Sequence, residues 1–126
     1  MLGSFENDNP YIEIDIVGAS MQPKKIKALV DSGYNGYLML PYVEAFPLGL
    51  ILTGIQSSKL ADGSLSHHFV CIGTVIYDKK SVATTIDIQP NCNILLGTKL
   101  LRLLGKTLIM DVVKNKVELV NSGPIV

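Results

Sequence analysis

The sequence predicts an all-β fold with one short helix in its C-terminal half. Three observations carry this reading. Tyr11-Ile12-Glu13-Ile14-Asp15-Ile16-Val17 alternates apolar with acidic residues, the period-two mark of a strand with one face in a core. Two extended runs, Leu50 to Leu60 and Leu65 to Tyr77, flank Ala61-Asp62-Gly63-Ser64, and Asp-Gly between such runs signals a hairpin. Only Thr98 to Leu104 crowds apolar residues at helical spacing, through Leu100, Leu101, Leu103 and Leu104.

The remaining elements follow in order. Residues 1–10 carry Gly3, Ser4, Asn7, Asp8, Asn9 and Pro10 and are expected to form a flexible leader to a domain over residues 11–126. Gly18 to Pro23 supplies turn residues, and Lys25 to Val30 returns as the second strand of a hairpin. Tyr37 to Leu40 reads as a short strand stopped by Pro41, and Tyr42 to Leu48 as one irregular helical turn broken at Pro47 and Gly49. After a turn at Asp78-Lys79-Lys80-Ser81, the β-branched residues of Val82 to Ile88 suit a pleated surface. Gln89 to Asn93 breaks that strand before another at Ile94 to Gly97. The helix at Thr98 to Leu104 takes Thr98 as its N-cap and Gly105 as its stop. Thr107 to Val113 and Lys116 to Val120 close the chain as two strands joined by Lys114-Asn115.

Composition narrows the function. The 126 residues suit one domain, and 11 basic against 11 acidic residues leave no electrostatic footprint for nucleic acid or an anionic membrane. No run approaches the ~18 apolar residues of a membrane span, and Met1 to Pro10 is polar, so a cytoplasmic protein is expected. A hydrophobic fraction of 48% is high for so short a chain and points to apolar surface hidden in a dimer. Cys71 and Cys92 lack the spacing of a disulfide framework or metal site and read as free thiols. His67 and His68 are adjacent on a strand, so they point to opposite faces and cannot chelate one metal together. Asp87 and Asp111 fall on the outward phase of their strands. The glycines show no phosphate-loop spacing, so neither metal nor organic cofactor is expected.

One acid stands out. Ala28-Leu29-Val30-Asp31-Ser32-Gly33 is an apolar strand that ends in a carboxylate, a hydroxyl and a glycine, before Tyr34-Asn35-Gly36-Tyr37-Leu38 resumes the apolar pattern. An ionised carboxylate at the end of a core strand is costly unless paired or hydrogen-bonded. Taken alone, Asp-Ser-Gly is also a common turn. A second compact run, Asn93-Ile94-Leu95-Leu96-Gly97 with the helix behind it, turns the tripeptide into part of an ordered pattern.

In that pattern the sequence resembles the single-domain, retropepsin-like aspartic proteases. Ala28 to Gly33 matches the catalytic-loop strand, Ile94 to Gly97 the apolar-apolar-Gly element that crosses behind it, and Ala61 to Ser64 the tip of a flap, covering about residues 11 to 120. The resemblance implies a retropepsin-like acid protease barrel acting on peptide or protein substrates. Asp31, Ser32 and Gly33 would be catalytic, and Tyr34, Asn35, Ala61, Asp62 and Gly63 would bind substrate. Tyr34 departs from the viral members, which usually carry alanine there. The flap segment also reads as an ordinary surface hairpin.

Aspartic proteases need two carboxylates sharing one proton. No second apolar run ends in Asp-Ser-Gly: Asp62-Gly63-Ser64 has the wrong order, and Val120-Asn121-Ser122-Gly123 carries an amide. A twofold homodimer would supply Asp31 from each copy, with Ser32 bonding across the axis and Lys116 to Val126 pairing with the partner's termini. The alternative is a non-enzymatic dimeric peptide-binding or assembly module in which Asp31 is only a structural acceptor.

Overall fold

The computed structural model describes residues 3–124, Ser58 by its backbone alone. Ser4–Glu6 (β1) and Asn9–Val17 (β2) pair antiparallel across a turn in which Asn7 and Asp8 have φ of 51° and 62°. Asn and Asp enter that left-handed region more readily than other non-glycine residues. The expectation of a flexible leader over residues 1–10 is therefore corrected for residues 3–10; Met1 and Leu2 lie outside the described residues. Phe5 packs against the core, Pro10 is buried, and the Gly3 N–H donates to the Val117 carbonyl at 2.7 Å. Polar composition hid a strand whose few apolar groups are anchored.

Lys24–Val30 (β3) runs antiparallel to β2 and sets Ile14 opposite Ile26 and Ile12 opposite Ala28. The alternation works as read: Ile12, Ile14 and Ile16 are at most 1% exposed, and Ile26, Ala28 and Val30 are buried beside them. Each of the isoleucines and Val30 contributes about 1.5–3 kcal/mol on burial, and the Ala28 methyl less. Leu38–Pro41 (β4) leads into the four-residue helix Tyr42–Ala45 (α1) and a 3-10 turn at Phe46–Leu48, which Gly49 ends.

Ile51–Lys59 (β5), Leu65–Tyr77 (β6) and Lys80–Gln89 (β7) form an antiparallel meander. Leu95–Leu96 (β8) precedes the helix Thr98–Leu104 (α2), and Lys106–Asp111 (β9) pairs with Lys116–Asn121 (β10) as a hairpin of its own. Eight strands share one sheet in the order β1-β2-β3-β8-β4-β7-β6-β5. A further pairing, Asp15 to Val17 of β2 with Thr74 to Ile76 of β6, curls that sheet back on itself. Among the described residues no helix is long and apolar enough to cross a membrane.

One detail of the expected ends is corrected. Helix α2 is capped by Gly97, not by Thr98, and has no side-chain cap. Its first N–H groups are instead taken by carbonyls of the loop after β3, so a capping hydroxyl has no orphan donor to satisfy. The C-terminal strand expected to pair with a partner's termini, Lys116–Asn121, has one edge laddered along β9, while its Val117 carbonyl takes the Gly3 N–H. Ile125 and Val126, the end of that expected pairing segment, lie outside the described residues.

Candidate active site

Asp31 stands at the end of β3, where the ladder gives out. Two-residue β8 pairs parallel to β3, Leu29 with Leu95 and Val30 with Leu96, and antiparallel to β4, Leu38 with Leu96. It thereby wedges the two strands apart, and the chain between them must loop out. The Asp31 N–H still donates to the Leu96 carbonyl at 3.0 Å, which fixes the base of the loop. Beyond it the loop makes its own bonds. The Asp31 carbonyl accepts from the Tyr34 N–H at 3.1 Å, and Asp31 Oδ1 accepts from the Gly33 N–H at 2.9 Å.

The loop rests on α2. The N–H groups of Gly97, Thr98 and Lys99 donate to the carbonyls of Tyr37, Tyr34 and Gly36, at 2.9, 3.0 and 3.1 Å. This close seating requires glycine at position 97, because a Cβ there would run into the Gly36 carbonyl and the Tyr34 ring. At Gly33 a Cβ would lie 3.2 Å from Asp31 Oδ1 and crowd the carboxylate.

Asp31 is partly exposed, and Ser32 and Gly33 are exposed. Asp31 and Ser32 open on a groove of about 350 Å³ whose floor is Leu29 and Val30. Asp8, Asn9 and Pro10 form one wall, and Leu108 and Met110 of β9 the other. Among the described residues Asp31 Oδ2 accepts no hydrogen bond. One oxygen of the carboxylate is thus held inside the turn, and the other has no protein donor among the described residues.

The other predicted residues lie elsewhere. Tyr34 does not line this groove: its ring packs over Gly36 and Gly97, and its hydroxyl donates to Asp87 Oδ2 at 2.6 Å. Burial first, and the Asp87 carboxylate second, push its phenol far above the ordinary range. Its expected place among substrate-binding residues is thus corrected to a place behind the loop. Asp87 is corrected with it, since its side chain is only 25% exposed and faces Tyr34 and His68. Asn35 is exposed on the loop and absent from the groove.

Ala61, Asp62 and Gly63 form the exposed tip of the β5–β6 hairpin, where Gly63 has φ 88°. Asp62 Oδ1 accepts from the Ser64 N–H at 2.9 Å and the Ser64 hydroxyl at 2.6 Å, which hold its carboxyl below the usual range. Asp62 is thus a turn builder. Nothing in the single chain brings this tip to the Asp31 groove. The residues missed by the sequence reading are the walls, Asp8 to Pro10 and Leu108 with Met110. Their only signal was the alternation of Leu108 and Met110 on one face of the strand at 107–113.

His67 and His68 part as expected, His67 Nδ1 toward Ser57 Oγ at 2.7 Å and His68 Nε2 toward Asp87 Oδ1 at 4.0 Å. Cys71 and Cys92 are both free thiols, and burial raises both above the ordinary thiol value.

A sheet closed through β2 and β6, with a two-residue strand inserted between β3 and β4 behind an Asp-Ser-Gly turn, defines the retropepsin-like acid protease fold. Solved structures agree. The chain is similar to the EIAV protease complexed with an inhibitor, with a TM-score of 0.61 and 17% identity over 82% of this chain and 95% of that one. It is also similar to the Simian Foamy Virus (mac) protease, with a TM-score of 0.55 and 20% identity over 75% of this chain and 93% of that one. No protein-family model and no curated protein matches the sequence.

Proposed function

We propose that the chain is a homodimeric aspartic endopeptidase in which Asp31 of two copies forms the dyad. The observation that carries this reading is the free Oδ2 of Asp31, standing in an open groove at the end of a core strand on a protease fold. In such a dyad two carboxylates about 3 Å apart cannot both ionise, so one acts as base toward water and the other as acid toward the leaving nitrogen. The twofold operator presents the same residue from each side, so one Asp-Ser-Gly turn per chain suffices. In this reading Ser32, exposed beside Asp31, bonds to the partner's turn, and the β5–β6 hairpin tip closes over bound peptide. The exposed Leu60 and Leu65 at that tip, 49% and 61% accessible, gain cover when it does.

The test incubates the parent and Asp31→Asn with a diverse peptide mixture from acidic to neutral pH, reads cleavage by mass spectrometry, and weighs both proteins by sedimentation. Cleavage by a dimeric parent that the equally dimeric variant lacks supports the reading. A strictly monomeric parent, or equal cleavage by both proteins, overturns it.

A further inference from the structure

Tyr34 bonds to three separate parts of the molecule from within the Asp31 loop, and peptide hydrolysis uses none of its side-chain atoms. Its N–H donates to the Asp31 carbonyl at 3.1 Å, its carbonyl accepts from Thr98 at 3.0 Å, and its hydroxyl donates to Asp87 at 2.6 Å. One residue is therefore tied to the turn, to α2 and to β7. Asp87 extends the tie further. With Oδ2 given to Tyr34, its Oδ1 faces His68 Nε2 at 4.0 Å, on the return strand of the hairpin. Asp87 and His68 are 25% and 11% exposed, so water competes weakly for the carboxylate. In register, Met39 of β4 and Val70 of β6 flank Asp87 and bring no charge, and the Cys92 thiol is the remaining titratable neighbour of Tyr34.

The turn has little else to hold it. Ser32 and Gly33 are exposed, and the single side-chain bond of Asp31 stays inside the turn. The backbone bonds to Leu96 and to α2 secure the loop at its base. Among the described residues the bond to Asp87 is its one side-chain hydrogen bond to the rest of the barrel, and an ionised acceptor makes such a bond about twice as strong as a neutral one.

We propose that Tyr34 is a positioning residue: through Asp87 it fixes the orientation of the Asp31-Ser32-Gly33 turn and links that turn to the hairpin strand β6. The kinetic part of this inference rests on the endopeptidase reading, and the structural part does not. A reacting group displaced by about 1 Å costs on the order of 10²-fold in rate, so a loosened turn lowers kcat before it weakens substrate binding.

The experiment compares Tyr34→Phe, Asp87→Leu and Asp87→Asn with the parent in the full chain, by amide hydrogen exchange and by peptide cleavage. Tyr34→Phe and Asp87→Leu are expected to speed exchange of the Asp31, Gly33 and Tyr34 amides by roughly tenfold while the β2 and β6 amides keep their rates. Asp87→Asn keeps an acceptor for the hydroxyl, though a neutral one, and is expected to fall between the parent and Asp87→Leu. In the cleavage assay the first two lower kcat by about tenfold or more and leave KM within about twofold. Unchanged loop exchange overturns the proposal, and so does acceleration spread evenly over the strands, which would make Tyr34 a general packing residue. If Tyr34→Phe does not fold, the contrast between the two Asp87 variants decides the same question. A parent that cleaves nothing while the exchange pattern holds refutes the endopeptidase reading and leaves the positioning role standing.

Discussion

The Tyr34 hydroxyl and the Asp87 carboxylate meet at 2.6 Å across 53 positions of sequence. The pair binds a loop already seated on α2 by its carbonyls to a strand in the middle of the sheet.

One consequence is spectroscopic. Tyr34 has its phenol raised above the ordinary value by burial and then by Asp87, and Tyr77 has its phenol raised by burial and then by Asp78. A raised phenol pKa means that the folded state prefers the neutral form. This contribution to stability is complete below pH about 10 and is lost as pH climbs past it. Ultraviolet titration of the native protein near pH 11 should therefore detect fewer phenolates than its five tyrosines, with the remainder appearing on unfolding. Tyr34→Phe should flatten the alkaline loss of stability. Full titration of all five while the fold persists would contradict the placement of both rings.

At the acid end the relevant pair is Asp78 with Lys106. The Lys106 ammonium is almost wholly buried, donates to Asp78 Oδ2 at 2.8 Å and to Asn121 Oδ1 at 2.6 Å, and lies over the Tyr77 ring. The hydrogen bond and charge of Lys106 depress the Asp78 carboxyl. A depressed carboxyl contributes stability that is present above the unfolded value, about pH 4, and is lost as pH falls through the lower folded value. Melting temperatures measured from about pH 5 down to about 2 should fall more steeply for the parent than for Asp78→Asn. Parallel curves would show that the pair contributes nothing to the docking of the β9–β10 hairpin.

The leucines of α2 are not equivalent. Leu100 and Leu104 are buried one turn apart, whereas Leu103 is 38% exposed. Leu100→Ala is expected to lose about 2–5 kcal/mol in a denaturant titration. Leu103→Ala should stay within about 1 kcal/mol of the parent, since it opens no cavity.

Gly97→Ala adds a single methyl where the helix meets the loop. Overpacking of this kind costs about 1–3 kcal/mol. The extra carbon is aimed at the Gly36 carbonyl, so amide exchange should rise first at Thr98 and Lys99, whose N–H groups reach the loop. Wild-type exchange at those two amides would show that the loop can shift to make room.

The hairpins were legible in the sequence because their signals are local. Asp62-Gly63 sits between two extended runs, and Ile12, Ile14 and Ile16 alternate with acids. Asp31 was legible because a core strand that ends in an acid is unusual, and α2 because its leucines recur at helical spacing. Asp87 was misread for a physical reason. Alternation does put it on the face of β7 opposite Ile86 and Ile88, but that face is covered by Tyr34 and His68, which come from remote parts of the chain. Period two tells which residues share a face, not whether that face stays in water. The groove walls were hidden similarly, since Asp8, Asn9 and Pro10 resemble a polar leader until Phe5 finds the core.

Two residues of β8 decide when this site comes into being. Leu95 and Leu96 supply the neighbours of Leu29 and Val30, and Thr98 and Lys99 hold the loop that follows. A ribosome has made β1 through β7 before any of these residues leaves it. Contacts so distant in sequence form late and slowly, because the intervening segment must be ordered first. A nascent chain stopped before Ile94 has both strands of the first hairpin and an Asp-Ser-Gly sequence, yet nothing to seat the carboxylate. Under the endopeptidase reading, the fold thus withholds hydrolytic competence from any chain that has not yet been made as far as Lys99.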